Sequence, residues 1–229
     1  VGFQYAAGPM ELLKEFATYV AATVAALLPI VNPFSAVGLV VGITAHLTDE
    51  ERNEQLRRAC IYMFAILVTF LVAGGVIMNF FGISIPGLRI TGGLVVSYLG
   101  FRMLFPDPPQ LSNAARAEAM TKQDLSFTPL AMPSLSGPGS IAVVVGLSST
   151  LRTGRGFEMV VDYVAVAIGI ALTALISWLV LRASGRLNQL LGANGINAMS
   201  RVMGFLLICI GVQFVINGVL DIVRGGAGG

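Results

Sequence analysis

Charged residues are scarce in this chain: they make up 11% of its 229 residues, against 55% hydrophobic. Soluble domains carry about 25% charged residues, so an ordinary water-facing surface is excluded. The apolar residues also run continuously instead of alternating with polar ones, which marks an integral membrane protein. Histidine is almost missing. His46 stands alone, which leaves no His-based metal site and no Ser/His triad. The two cysteines, Cys60 and Cys209, lie far apart in or beside apolar runs, without a CxxC pair, and read as small buried hydrophobes. No GxxxxGK(S/T) string occurs, so ATP is not expected to drive the protein directly. No acid falls at mid-span, since Asp162 and Asp221 sit near helix ends. With no metal cluster, acid pair or Ser/His arrangement, the chain is not expected to be an enzyme.

What is present is a series of apolar stretches long enough to approach the roughly 20 residues that a bilayer requires. They cover about 16–44, 60–80, 86–105, 127–151, 159–181 and 202–223, with polar connections expected at 45–58, 106–126 and 182–200. The expected fold is all-α: six transmembrane helices, with the first and fourth broken. Residues 1–9 read as a tag or disordered N-terminus and 225–229 as a tail. Residues 10–105 form a first three-span repeat, 106–126 a cytoplasmic linker and 127–224 a second repeat. The first span is expected to act as its own insertion signal, with no cleavable leader. With six spans, nine of the Lys and Arg residues fall on one side and five on the other. The positive-inside rule then places both termini outside the cytoplasm. Trp178 and tyrosines near span ends fit the interfacial aromatic belt.

Two stretches interrupt spans with helix breakers: Leu28-Pro29-Ile30-Val31-Asn32-Pro33-Phe34-Ser35 and Pro133-Ser134-Leu135-Ser136-Gly137-Pro138-Gly139-Ser140. Proline removes a donor and clashes with the preceding turn, and broken backbone survives in a bilayer only where protein or a watered cavity satisfies it. The halves echo each other in order. Pro33-Phe34-Ser35 then Gly42 matches Pro138-Gly139-Ser140 then Gly146. Phe81-Gly82 before Arg89, Gly92 and Leu94 matches Leu191-Gly192 before Arg201, Gly204 and Leu206. Repeats of three spans must insert with opposite orientation, giving an inverted pair of the kind found in secondary carriers.

The expected substrate site comprises Asn32, Pro33, Ser35, Ser136, Gly137, Pro138, Gly139 and Ser140. Half-helix starts there offer N–H groups to an anion, and half-helix ends offer carbonyls to a cation. The competing reading is two kinks satisfied by neighbouring hydroxyls. Arg89 and Arg201 read either as interfacial anchors or as gates. Gln213 and Asn217 share one face of the last span, lining a cavity or bonding between helices.

Four strings together resemble the MarC family across residues 10–224. They are Leu28-Pro29-x-x-Asn32-Pro33; Phe81-Gly82-Ile83-Ser84-Ile85-Pro86-Gly87-Leu88-Arg89-Ile90-x-Gly92-Gly93; Pro129-Leu130-Ala131-Met132-Pro133-x-x-x-Gly137-Pro138-Gly139; and Ser200-Arg201-x-Met203-Gly204-Phe205-Leu206-Leu207. The resemblance implies a six-span bacterial inner-membrane protein. A relative in that family is a proton-coupled transporter of small neutral amino acids, with glycine and alanine as substrates. The expectation is therefore a secondary transporter of a small polar solute, with a neutral amino acid favoured. A passive pore or exporter of hydrophobic compounds, and a non-transporting structural protein, are the alternatives. The expected partners are the lipid bilayer and a small-molecule substrate, with no nucleic acid and no cofactor. Proton coupling has no evident carrier residue in the chain, and the oligomeric state is left open.

Overall fold

Side-chain caps set where three of the helices begin. The computed structural model describes residues 9–44, 46–105, 125–151 and 157–226. Most of the expected linker, both ends of the chain, and Arg116, Lys122, Arg152 and Arg155 lie outside the described residues. Helix α1 (Pro9–Val31) runs through Pro29, whose missing N–H leaves the Ala25 carbonyl without its usual partner. It stops at Asn32, and α2 (Pro33–Ile43) begins at the next residue. Helix α3 (Asp49–Phe81) starts on a capping box: the Glu51 N–H donates to Thr48 Oγ1 at 3.3 Å, and the Thr48 N–H donates to the Glu51 carboxylate at 2.9 Å. Asp49, Glu50 and Glu51 add negative charge at the positive end of its dipole. Most of the connection expected at 45–58 is therefore helix, wound before the apolar run begins.

Helix α4 (Ile85–Leu104) is capped by Ser84, whose Oγ accepts from the Gly87 N–H at 3.2 Å. The segment α5 (Ser126–Leu135) is wound in wide turns. Bonds from Leu130 N–H to Leu125 O and from Ser136 N–H to Ala131 O each close over five residues, while Thr128 and Met132 are extended. Next come α6 (Pro138–Thr150), α7 (Phe157–Arg182) and α8 (Ser184–Gly226). The connection expected at 182–200 is also helical. It is bent at Gly192, whose φ of +60° lies in the left-handed region that glycine tolerates.

Every element among the described residues is helical. Met10–Val31, Asp49–Phe81, Met159–Arg182 and Asn194–Arg224 are long and apolar enough to cross a membrane, while α2 and Pro138–Ser148 are shorter apolar helices. A core that includes Leu27, Val40, Met63, Leu67, Val144 and Ile170 joins α1, α2, α3, α6 and α7. Val72, Val76, Phe80, Leu94 and Val202 instead point outward, as lipid-facing residues do. Helix α1 packs on α7 and α5 on α3, while α2 packs on α8 and α6 on α4.

The closest seam joins α4 and α8. Gly93 lies against Gly211 and Gly100 against Gly204, so the two helices run antiparallel. A Cβ at Gly100 would stand 2.6 Å from the Gly204 carbonyl oxygen, and one at Gly204 would stand 2.8 Å from that of Gly100. Only hydrogen fits, and close backbone approach of this kind is how membrane helices associate without a hydrophobic drive between them. Gly100→Ala is therefore expected to lower stability by about 1–3 kcal/mol through overpacking. Gly75→Ala, on a helix position with open space around it, is expected to gain roughly 1 kcal/mol. Thermal unfolding in detergent compares them; equal midpoints would contradict the seam.

Candidate functional site

The two breaks meet in one cavity of about 560 Å³. It is lined by Asn32 and Ser35 from the first break and by Gly137, Pro138, Gly139 and Ser140 from the second. Helix α4 supplies Leu99, Arg102 and Met103, and α8 supplies Leu207. Six of the eight residues expected at a substrate site thus come together across half the sequence. Pro33 and Ser136 do not line the cavity. Both are buried, Pro33 as the first residue of α2 and Ser136 as the residue that closes α5.

The breaks differ in how they treat their freed backbone groups. Asn32 is the only non-glycine residue with positive φ among the described residues, at φ 40° and ψ 66°. This left-handed turn ends α1 and starts α2 with no linker, and asparagine tolerates it better than most residues. Its Oδ1 accepts from the Ser35 N–H at 3.3 Å, its Nδ2 approaches Met103 Sδ at 3.5 Å, and the Ser35 hydroxyl donates to the Asn32 carbonyl at 3.1 Å. The first break is largely closed on itself. At the second, Gly137 precedes α6 without any side-chain cap. The Ser140 hydroxyl donates back to the Gly137 carbonyl at 2.9 Å, and helix geometry leaves the Gly139 and Ser140 N–H groups without acceptors in α6.

The electrostatics follow from that difference. The N-terminus of α6 brings the positive end of its dipole to the cavity. Arg102 is the one charged lining residue among those described, and it makes no ion pair with any described residue. On the other wall, Ile30 and Val31 end α1, where the last carbonyls have no helical N–H to meet. One side of the cavity is therefore suited to a carboxylate and the other to an ammonium.

Sequence reasoning missed Arg102, counting it only toward orientation. Its position gave little signal, because a cation in the last turn of an apolar helix is also what the helix dipole and interfacial anchoring favour. The remaining candidates lie elsewhere. Arg89 pairs with Asp221, tying α4 to α8, and lines a separate cavity of about 170 Å³ together with Asn217. Gln213 donates to Asn217 Oδ1 at 2.9 Å along their own helix. Arg201 is exposed and pairs with no acid among the described residues.

Comparison with known proteins places the chain beside one group. The model of the MarC family integral membrane proteins matches residues 16–223. Proteins named inner membrane protein MarC are 46% identical in Citrobacter koseri and 47% in Salmonella typhimurium, over 204 residues that cover 86% of this chain and 92% of each relative. One from Escherichia coli O1:K1 is 46% identical over the same span. No solved structure matches.

The cap at Asn32 makes a direct prediction. Asn32→Ala removes the acceptor for the Ser35 N–H and places a Cβ-bearing residue without local compensation in the left-handed region. A loss of about 1–3 kcal/mol is expected. Asn32→Gly keeps the backbone unstrained and should cost only a few tenths of a kcal/mol. Thermal unfolding of the two variants in detergent checks the order; a reversed order would contradict the cap.

Proposed function

The chain belongs to the MarC family of integral membrane proteins, and on that premise we propose that it is a secondary transporter of small neutral amino acids. The observation that carries the reading is the single cavity in which two helix breaks from opposite halves of the chain meet. The substrate carboxylate binds the α6 N-terminus and Arg102, and the ammonium binds the carbonyl end of α1. Asn32, Ser35 and Ser140 add neutral hydrogen-bonding groups. The polar groups that converge on an otherwise apolar lining, from Asn32, Ser35, Ser140 and Arg102, argue against a pore or an exporter of hydrophobic compounds. A purely structural role leaves the open α6 terminus without a purpose.

Alternating access is the working mechanism, with six spans arranged as two inverted repeats in the bacterial inner membrane and both termini extracytoplasmic. Exchanging α1 with α5, α2 with α6, α3 with α7 and α4 with α8 carries the main helix packings into one another. The antiparallel α4–α8 seam fits an axis lying in the membrane plane, because an axis along the normal would make the pair parallel. Rocking of one repeat against the other exposes the cavity to each side in turn. Arg89, held by Asp221, sits where such rocking would change the α4–α8 contact and acts as a gate or a scaffold.

Uptake of radiolabelled glycine, alanine, serine and threonine into proteoliposomes, with and without a proton gradient, tests the proposal. Accumulation of at least one is expected, and transport of none would sink the amino-acid reading. Gly137→Leu should abolish uptake. Arg102→Gln should lower it roughly tenfold through the lost charge-assisted contact. Wild-type uptake by inserted forms of both variants would remove the central-site assignment.

A further inference from the structure

A second cavity lies between the start of α3 and the α7–α8 turn, away from the central cavity. Where α3 begins and α7 ends, a polar cavity of about 700 Å³ is lined by Asp49, Arg52 and Asn53 on one side and by Arg182, Arg186 and Gln189 on the other. Its charges do not cancel. Arg52 pairs with Asp49 at 3.1 Å, whereas Arg182 and Arg186 have no carboxylate partner among the described residues. The nearby Glu54 is already engaged by Arg57 and Arg58, both at 2.8 Å. Two uncompensated guanidinium groups therefore face the cavity.

Below it along the same two helices runs an apolar groove of about 330 Å³, whose walls include Cys60, Ile61 and Phe64 from α3 and Ala174, Leu175 and Trp178 from α7. The polar cavity and the apolar groove are joined by one contact, the Arg182 guanidinium stacked 5.2 Å from the centre of the Trp178 ring. Arg52 lies over the α7–α8 turn, its Nη1 4.0 Å from where a Cβ at Gly185 would stand. The order from chain end inward is cationic, then aromatic, then aliphatic. That is the order of phosphate, glycerol backbone and acyl chain in a phospholipid lying against a membrane protein.

We infer that this groove is a binding site for one anionic glycerophospholipid, with its phosphate held by Arg182 and Arg186 and one acyl chain laid between α3 and α7. A soluble phosphate compound would use the cations but leave the apolar groove empty. A zwitterionic lipid would fill the groove but bring a choline cation to a positive cavity. The inference does not depend on what the central cavity carries.

Native mass spectrometry tests it on the full chain, delipidated and then offered phosphatidylglycerol or phosphatidylcholine of identical acyl chains. Preferential retention of phosphatidylglycerol, unaffected by millimolar inorganic phosphate, is the expected result. Equal retention of the two lipids overturns the inference. So does displacement by phosphate alone, which would make the cavity a soluble-anion site. The double variant Arg182→Gln with Arg186→Gln should weaken phosphatidylglycerol retention on the order of thirtyfold, at about 1 kcal/mol for each arginine. Arg224→Gln, at the far end of α8, should leave retention unchanged; a loss there matching that of Arg182→Gln or Arg186→Gln alone, each removing one charge, reduces the effect to net charge and also overturns the site.

Discussion

A hydrocarbon interior supplies no water to a backbone N–H or carbonyl, and the architecture answers that one constraint. Unbroken helices satisfy it internally, so α3, α7 and the long run of α8 need only apolar side chains to be stable in lipid. The two interruptions cannot satisfy it alone. They lie together, screened by α4 and α8, in a space where polar groups are tolerated. Burying two broken elements side by side turns a structural liability into a cavity where a few polar groups converge among apolar walls.

The breaks meet the constraint by different means. Asn32 closes the first with its own side chain, at the cost of a left-handed backbone turn. Gly137 leaves the second without a side-chain cap, and the first turn of α6 lines the cavity. Arg102 stands there as well, reinforcing the positive end of the α6 dipole. A carboxylate is the natural complement, which connects helix geometry to a class of substrate. The α4–α8 seam makes the arrangement firm, since glycine at 93, 100, 204 and 211 lets two backbones touch where side chains would hold them apart.

Much of this was legible in the residues. The proline and glycine positions located both breaks to within a residue or two, because a missing donor or a missing Cβ acts locally. Six of the eight named site residues converge, as their placement at matching points of the halves implied. The helical winding of 49–58 and 184–200 was less evident, because those stretches lack an apolar run; the signal for the first was the Thr48–Glu51 capping box. Arg89 was visible as a costly charge near a span, but its partner Asp221 lies 132 residues away and no local pattern links the two.

The sequence by itself determined that the chain is a membrane protein, where its helices break and which polar residues stand beside the breaks. These follow from composition and short-range backbone chemistry. Only the tertiary structure decided that the breaks share one cavity, that one is closed and the other open, and that Arg102 faces them. Such facts depend on which helix packs on which, and packing is settled by steric fit between surfaces that lie far apart along the chain.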